Sequence, residues 1–587
     1  MLWNLLAKHL RPLASIAEWP TVPVAMPETC SPGWLSRTRH AEISERAMAS
    51  AVTRQPGVAT QLDATGRIPY RLWIGVTGHR EPLDDAALSE RISHLLQQIR
   101  LRSPSSALTP LKFGIVSSLA EGADRLVAKE VLKDRDAVLE AALPLPPEEY
   151  VRDFSTTQSR TEFQELLSDA EMIAVMPQSE SREAAYSEAG RYLLDRSDVV
   201  IALWDGEPSR GVGGTAEIVA EARARGLPLF CIRPSGSYDI YEQPPGRITT
   251  TNFHEHDDYN REQIGRQLPK FSSEKSSEWL TAARSVALED LSLKPALDWI
   301  LPYLGRADIL ARRYQRRFFM LGRALFLIAF LAVALAAFER IFMPDRPQIG
   351  LLEFALLLVL VLALLYGRHR RVQQRWIAYR SLAERLRIAF FLSFATWGRT
   401  RIVTLDGDRT IDAGNNWIRR AWEEVWMRRP PHARARALGG STKRFFANAW
   451  IGSQLDYYRR ASQRHSRQDR LLTHLSWILF SFTLLAALFD GIGVFHDLSQ
   501  NLVLLAAASL PALAAAFSGI RAEREYVRNA ERFRRLARDL EAVRVRMDRA
   551  TDDQVVRALA KAAEAVMLEE HRDWFGLMRF HDLELHT

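Results

Sequence analysis

Four apolar runs, arranged in two pairs, constrain this chain more than any other feature. Phe318 to Phe338 is apolar apart from Arg323, and Gly350 to Gly367 carries Glu353 as its only charge. Leu471 to Phe489 has His474 near its entrance, and Leu502 to Ile520 contains Pro511. At 1.5 Å per residue, a helix over the first run reaches about 30 Å, the thickness of one bilayer core. The segments between partners are short enough to force hairpins, so four membrane spans are predicted, with a bend or loosened backbone at Pro511.

Arginine placement orients these spans. Arg312, Arg313, Arg316 and Arg317 precede the first run, and Arg368, Arg370, Arg371 and Arg375 follow the second. Arg459, Arg460, Arg464, Arg467 and Arg470 precede the third, and Arg521, Arg524 and Arg528 follow the fourth. One tip balances Glu339 and Asp345 against Arg340 and Arg346, while the other holds Asp490, His496 and Asp497 without lysine or arginine. Positive charge stays on the cytoplasmic side, which predicts a multi-pass inner (plasma) membrane protein with both tips outward and both termini cytoplasmic. The opening MLWNLLAKHLRPLASIAEWP is too polar for a cleavable secretory leader.

Only Cys30 and Cys231 are present, which leaves no disulfide framework and no CxxC metal motif and favours a reducing compartment for the soluble parts. No metal is expected. Lys and Arg outnumber Asp and Glu by 78 to 70, with the excess gathered beside the apolar runs. The bilayer is therefore the expected partner of that charge; nucleic acid is not, because no aromatic and basic stripe marks a strand-binding groove.

The expected fold class is α/β plus membrane all-α. Residues 1–69 are expected to form an N-terminal arm, 70–235 an α/β domain and 236–305 a helical connector. Residues 306–400 form a first two-span unit, 401–455 a cytosolic insertion without assigned chemistry, and 456–587 a second two-span unit with C-terminal cytosolic helices. Beyond each hairpin the chain stays helical and repeats itself, as Ala383-Glu384-Arg385-Leu386-Arg387 and Ala530-Glu531-Arg532-Phe533-Arg534. Phe533, Leu536, Leu540, Val543 and Met547 keep the three-and-four spacing of a packing seam, as do Trp376, Tyr379, Ala383, Leu386 and Phe390. These stripes are expected to pack the two cytosolic helices on each other, or to pack subunits together.

From Tyr70 to about Pro234, short apolar strands alternate with helices. Strands are predicted at Leu72–Val76, Lys112–Val116, Ala137–Leu143, Glu171–Met176 and Val199–Trp204, with Leu227–Ile232 closing the sheet. Such alternation requires crossovers, hence a Rossmann-like, doubly wound, mostly parallel sheet with ligands at the carboxyl ends of its strands. Three polar loops meet there. Thr77, Gly78, His79 and Arg80 follow the first strand; Ser117, Ser118, Glu121, Gly122, Asp124 and Arg125 follow the second; Asp205, Gly213, Gly214, Thr215 and Glu217 follow the fifth. Glycine lets backbone N–H groups close on an anion, and Thr77, Ser118 and Thr215 can donate hydroxyl hydrogen bonds. Arg80 and Arg125 suit phosphate, Asp205 and Glu217 suit ribose or a base, and His79 reads as an orienting partner.

These loops resemble the SLOG superfamily, related to the lonely-guy phosphoribohydrolases, the DNA-processing protein of bacterial transformation and the ligand-binding region of melastatin channels. The carrying motifs are Gly75-x-Thr77-Gly78-His79-Arg80, Ser117-Ser118-x-Ala120-Glu121-Gly122-Ala123-Asp124, Leu143-Pro144-Leu145-Pro146 with Glu149-Tyr150, and Trp204-Asp205-Gly206 with Gly213-Gly214-Thr215-Ala216-Glu217. The resemblance implies a nucleotide or NAD-derived ligand, and no other cofactor, with phosphates over Gly213, Gly214 and Thr215. The Arg-rich entries, tight hairpins and AER-x-R helices resemble the SLATT family, two-span effector modules of bacterial conflict systems; that likeness covers about 306–400 and 455–550. It implies a homo-oligomeric sensor-effector in antiviral (abortive infection) defence. A second messenger from an enzyme encoded nearby would trigger the spans to permeabilise the membrane. The alternative is a membrane-anchored nucleosidase or phosphoribohydrolase in which Glu217 aligns water and Arg125 assists. Gly211-Val212-Gly213-Gly214-Thr215 is shorter than the proline-glycine-glycine opening usual in those hydrolases.

Overall fold

The computed structural model describes residues 64–579 except 81–85, 178–180, 208–213, 234–237, 244–247, 249, 251, 289, 347, 396–415, 431–439, 494–495 and 497. Nearly all of the N-terminal arm, Cys30, Gly213 and much of the 401–455 insertion thus lie outside the described residues.

Strands β1 (Tyr70–Gly78), β2 (Leu111–Ser117), β3 (Val138–Leu143), β4 (Met172–Val175), β5 (Val199–Leu203), β6 (Leu229–Ile232) and β7 (Ile240–Gln243) form one sheet in the order β4-β3-β2-β1-β5-β6-β7. Every pairing is parallel except β6 with β7. The central strands are largely apolar and buried on both faces, apart from buried Arg71 and the half-buried Thr77 and Gly78 of β1, as a parallel sheet flanked by helices requires. Helices α1 (Ala86–Arg102), α2 (Ala123–Leu132), α3 (Pro147–Tyr150), α4 (Thr157–Asp169), α5 (Arg182–Arg196) and α6 (Thr215–Ala224) supply the crossovers. The expected closing strand is not the last. Ile240–Gln243, read from sequence as connector, pairs antiparallel on the free edge of β6; four residues hold too little pattern to announce a strand without that edge to pair with.

Helices α7 (Phe253–Arg261) and α8 (Gln267–Ser285) lead to α9 (Asp290–Phe342), which passes through Pro295 and Pro302. The last part of the connector, from Asp290, and the first span are therefore one continuous rod. Next come α10 (Ile349–His369), α11 (Val372–Ala395), α12 (Asn416–Met427) and α13 (Gly440–Phe445). A π-helical turn, Phe446–Gly452, then opens α14 (Ser453–Gly491), followed by α15 (Leu498–Glu523), α16 (Tyr526–Arg549) and α17 (Asp553–Arg579). Helix α15 continues through Pro511.

Among the described residues four helices are long and apolar enough to cross a membrane, and in the second and third of them no residue of the apolar window is buried. Leu351, Phe354, Trp477 and Leu484 stay about two-thirds exposed, which suits lipid and not water. The two hairpins meet where α9 packs along α15; a Cβ at Gly519 would lie 2.8 Å from Phe326 Cζ. The chain breaks after each hairpin at a left-handed residue, Arg371 (φ 47°) and Glu525 (φ 45°).

Both apolar stripes behind the hairpins are buried, each chiefly against a helix of its own hairpin. Trp376 and Tyr379 of α11 meet Phe318 and Tyr314 of α9, with ring centroids 5.3 and 5.4 Å apart, while Phe533 of α16 stacks on Tyr458 of α14 at 5.8 Å. Each return helix thus packs on the entry helix of its own hairpin, the neighbour that the hairpin's short connection brings alongside.

Candidate functional site

Strand order reverses between β1 and β5, and open sheets of this kind bind ligands in the crevice outside the carboxyl ends at that reversal. Thr77, Gly78 and His79 leave β1 beside Asp205, which leaves β5. The His79 amide donates to Leu203 O at 3.2 Å, and its Nε2 lies 3.1 Å from the Asp205 amide and 3.2 Å from Asp205 Oδ1. The imidazole therefore orients the β5 loop and bridges the reversal. Gly78 is needed for this closeness, because a Cβ there would sit 2.8 Å from Leu203 O and against Ala123.

The loop after β2 turns on itself before α2. Leu119 takes φ 56° and Gly122 φ 79°, and buried Ser117 accepts the Leu119 amide at 3.0 Å. Ser118 and Glu121 are half-buried along this turn. Asp124, in the first turn of α2, is buried and accepts the Ala120 amide at 3.4 Å. Burial pushes its carboxyl up to about 7, against the opposing pull of the Ala120 and Ser118 amides, Arg80 and Arg125. Beside it, the buried Tyr150 hydroxyl makes no hydrogen bond among the described residues, and Arg80 lies over the Tyr186 ring at 4.9 Å.

Arg125 points the other way. Its Nε donates to Leu119 O at 3.0 Å, and its Nη1 donates to Ser159 O, Ser159 Oγ and Glu162 Oε2 at 2.8–3.0 Å. It is 2% exposed, so it staples the strained Leu119 turn to α4 and is not presented at the strand edge. Gly214 caps α6 without a side-chain hydrogen bond, leaving the first amides of that helix, from Thr215 on, uncapped by its own side chain. Half-buried Glu217 accepts from Ser187 Oγ of α5 at 3.3 Å. Thr77, His79, Arg80, Ser118, Asp124 and Asp205 thus gather around the β1 end, and Glu217 reaches them through α5. Among the described residues no cluster of His, Cys, Asp and Glu has the form of a metal site.

A second polar centre, not anticipated from sequence, lies at the opposite end of the sheet. Helix α12, from the insertion given no chemistry, lies against the amino ends of the strands. Arg71 of β1 grips Glu424 with Nε at 2.6 Å and Nη2 at 3.0 Å, and Arg428 adds a contact at 2.7 Å. Arg196, at the end of α5, pairs with Glu140 at 2.8 Å and with Glu423 at 3.2 Å; Arg420 reaches Asp198 at 2.5 Å. Burial opposes ionisation of Glu424, yet Arg71 and Arg428 outweigh it and hold the carboxyl at about 2. On its other side α12 accepts the Trp299 indole N–H of α9 at Val425 O, 2.9 Å, and sets Trp417 against Tyr259 and Tyr379. The available signal was Trp417, Ala421, Trp422, Val425 and Trp426 at helical spacing around Glu423-Glu424, a stripe that needs a partner on both sides.

No curated protein and no solved structure matches the chain. Residues 447–574, from the π-helical turn to within α17, match the family model for SMODS and SLOG-associating 2TM effector domain 1, so the second hairpin unit is similar to a two-span effector domain.

Proposed function

We propose that the carboxyl edge of the sheet is a SLOG-like sensor for a phosphorylated, nucleotide-type signal, and that its occupation resets the four-helix region so that it permeabilises the membrane in antiviral defence. The observation that carries this reading is α5. Its first half faces the candidate site, with Tyr186 under Arg80 and Ser187 on Glu217. Its last residue, Arg196, is locked to Glu423 of α12, and α12 is locked to the membrane rod α9 through Trp299. One helix of 15 residues, about 22 Å long, thus runs from the candidate site to α12. A ligand shifts the two arrangements only by its differential affinity, about 1.4 kcal/mol for each tenfold.

The hydrolase alternative rests on Glu217, since Arg125 is committed to the α4 staple. Glu217→Ala should then abolish base release from nucleoside monophosphates or NAD. For the sensor reading, purified protein in liposomes is challenged with cyclic oligonucleotides and ADP-ribose derivatives. Dye release by one of these ligands in the parent, with Glu423→Gln binding it equally but releasing far less dye, is the expected pattern. Release that is ligand-independent, or unchanged in Glu423→Gln, overturns the coupling.

A further inference from the structure

Two grooves lie end to end on one face of α14. Arg459, Ser466, Arg470, His474, Trp477, Ser481 and Leu485 follow one another at steps of seven, four or three, which keeps them on a single helical face. The upper half of this face, with Arg534 and Arg538 of α16, lines a basic groove. Its only carboxylate, Glu541, is taken by Arg459 at 3.3 Å, and Arg534 Nε donates to Ser462 Oγ at 3.4 Å. Arg470 and Arg538 have no ion-pair partner among the described residues. The lower half, from His474 to Leu485, lines an apolar groove in the predicted span, with Trp477 66% exposed.

We infer that this face is a binding site for one anionic phospholipid of the leaflet at which α14 enters. The phosphate lies among Arg470, Arg534 and Arg538, and an acyl chain runs along Trp477, Ile478, Phe482 and Leu485. Dimensions agree with that occupant: His474 to Leu485 rises about 16 Å, close to half of a bilayer core of about 30 Å. Charge agrees too, because juxtamembrane arginines attract anionic headgroups at about 1 kcal/mol each. A second copy docked by this same surface about a two-fold axis would set these arginines against one another. The inference depends on the membrane spans alone and not on the nucleotide reading.

The test uses the purified full chain in detergent, scored by lipid retention in native mass spectrometry. Dioleoyl phosphatidylglycerol should be retained about 150-fold over dioleoyl phosphatidylcholine, and Arg470→Gln/Arg538→Gln, which leaves Arg534, should cut the ratio to about fivefold. Trp477→Leu, which keeps the arginines, should weaken both lipids together and leave the ratio intact. Free glycerol phosphate should not compete. Equal retention of the two lipids by the parent, an unchanged ratio in the double variant, or competition by glycerol phosphate at equal concentration overturns the site. So does loss of self-association in Trp477→Leu without any change in lipid retention, which would assign the face to a second copy.

Discussion

The two ends of the sheet hold buried carboxylates that behave in opposite ways. Asp124, at the carboxyl end, is pushed up to about 7, whereas Glu424, at the amino end, is held at about 2. Burial acts on both in the same direction, so the difference lies in their partners. Glu424 receives a bidentate Arg71 and a second arginine, while Asp124 receives amides at longer reach and arginines turned elsewhere. A fully paired centre fixes two elements in one arrangement. An underpaired one stays sensitive to whatever charge arrives next.

Glu424→Gln should have the largest effect of those that test this contrast, because it leaves Arg71 buried without its counter-charge. A loss of about 3–5 kcal/mol in denaturant unfolding at neutral pH is expected. In the parent this contribution is full above the unfolded carboxylate range near 4.5 and is lost as pH falls toward 2; the variant should lack that acid limb. Equal stability of the two proteins at pH 7 would break the contrast.

Asp124→Asn should run the other way and be smaller. Its raised carboxyl is protonated in both folded and unfolded chains below about 4, and the cost of burying its charge grows as pH rises to about 7. The variant should match the parent near pH 4 and exceed it by about 1–3 kcal/mol above pH 7, read from thermal unfolding across pH. The groups facing Asp124 are Arg80, Arg125 and Tyr150, and all three remain in the variant. A parent more stable than the variant at pH 8 would show that Asp124 is ionised and paired.

Ser187→Ala should have the least effect. It removes the hydrogen bond of 3.3 Å to a half-buried Glu217, worth about 0.5–1.5 kcal/mol, together with the longer one that Ser187 accepts from Arg191 at 3.5 Å. Its value lies in separating the two ends: if α5 transmits the signal, ligand-dependent release should shift while stability hardly moves. An unchanged ligand response would remove α5 from the path.

Much of the candidate site was legible because its signals are local. Glycines at strand ends, a strand followed at once by Thr77-Gly78-His79, and a helix opening at Asp124 can be read within a few residues. Arg125 could not be placed that way, since its partners Ser159 and Glu162 come from another helix. The stripes on α11 and α16 show the same limit. Their three-and-four spacing announces burial, but only the fold shows that each lies on its own hairpin's entry helix.

Four helices able to cross a membrane, their pairing into hairpins, and six of the seven strands among the described residues can be read from the chain, because hydropathy period and turn chemistry act between near neighbours. That β7 closes the sheet, that α12 joins the sheet to α9, and that one buried carboxyl is raised while another is lowered depend on residues brought together from far apart. Arg71 and Glu424 stand 353 positions apart, and an ion pair's strength depends on the distance and desolvation that only folding sets.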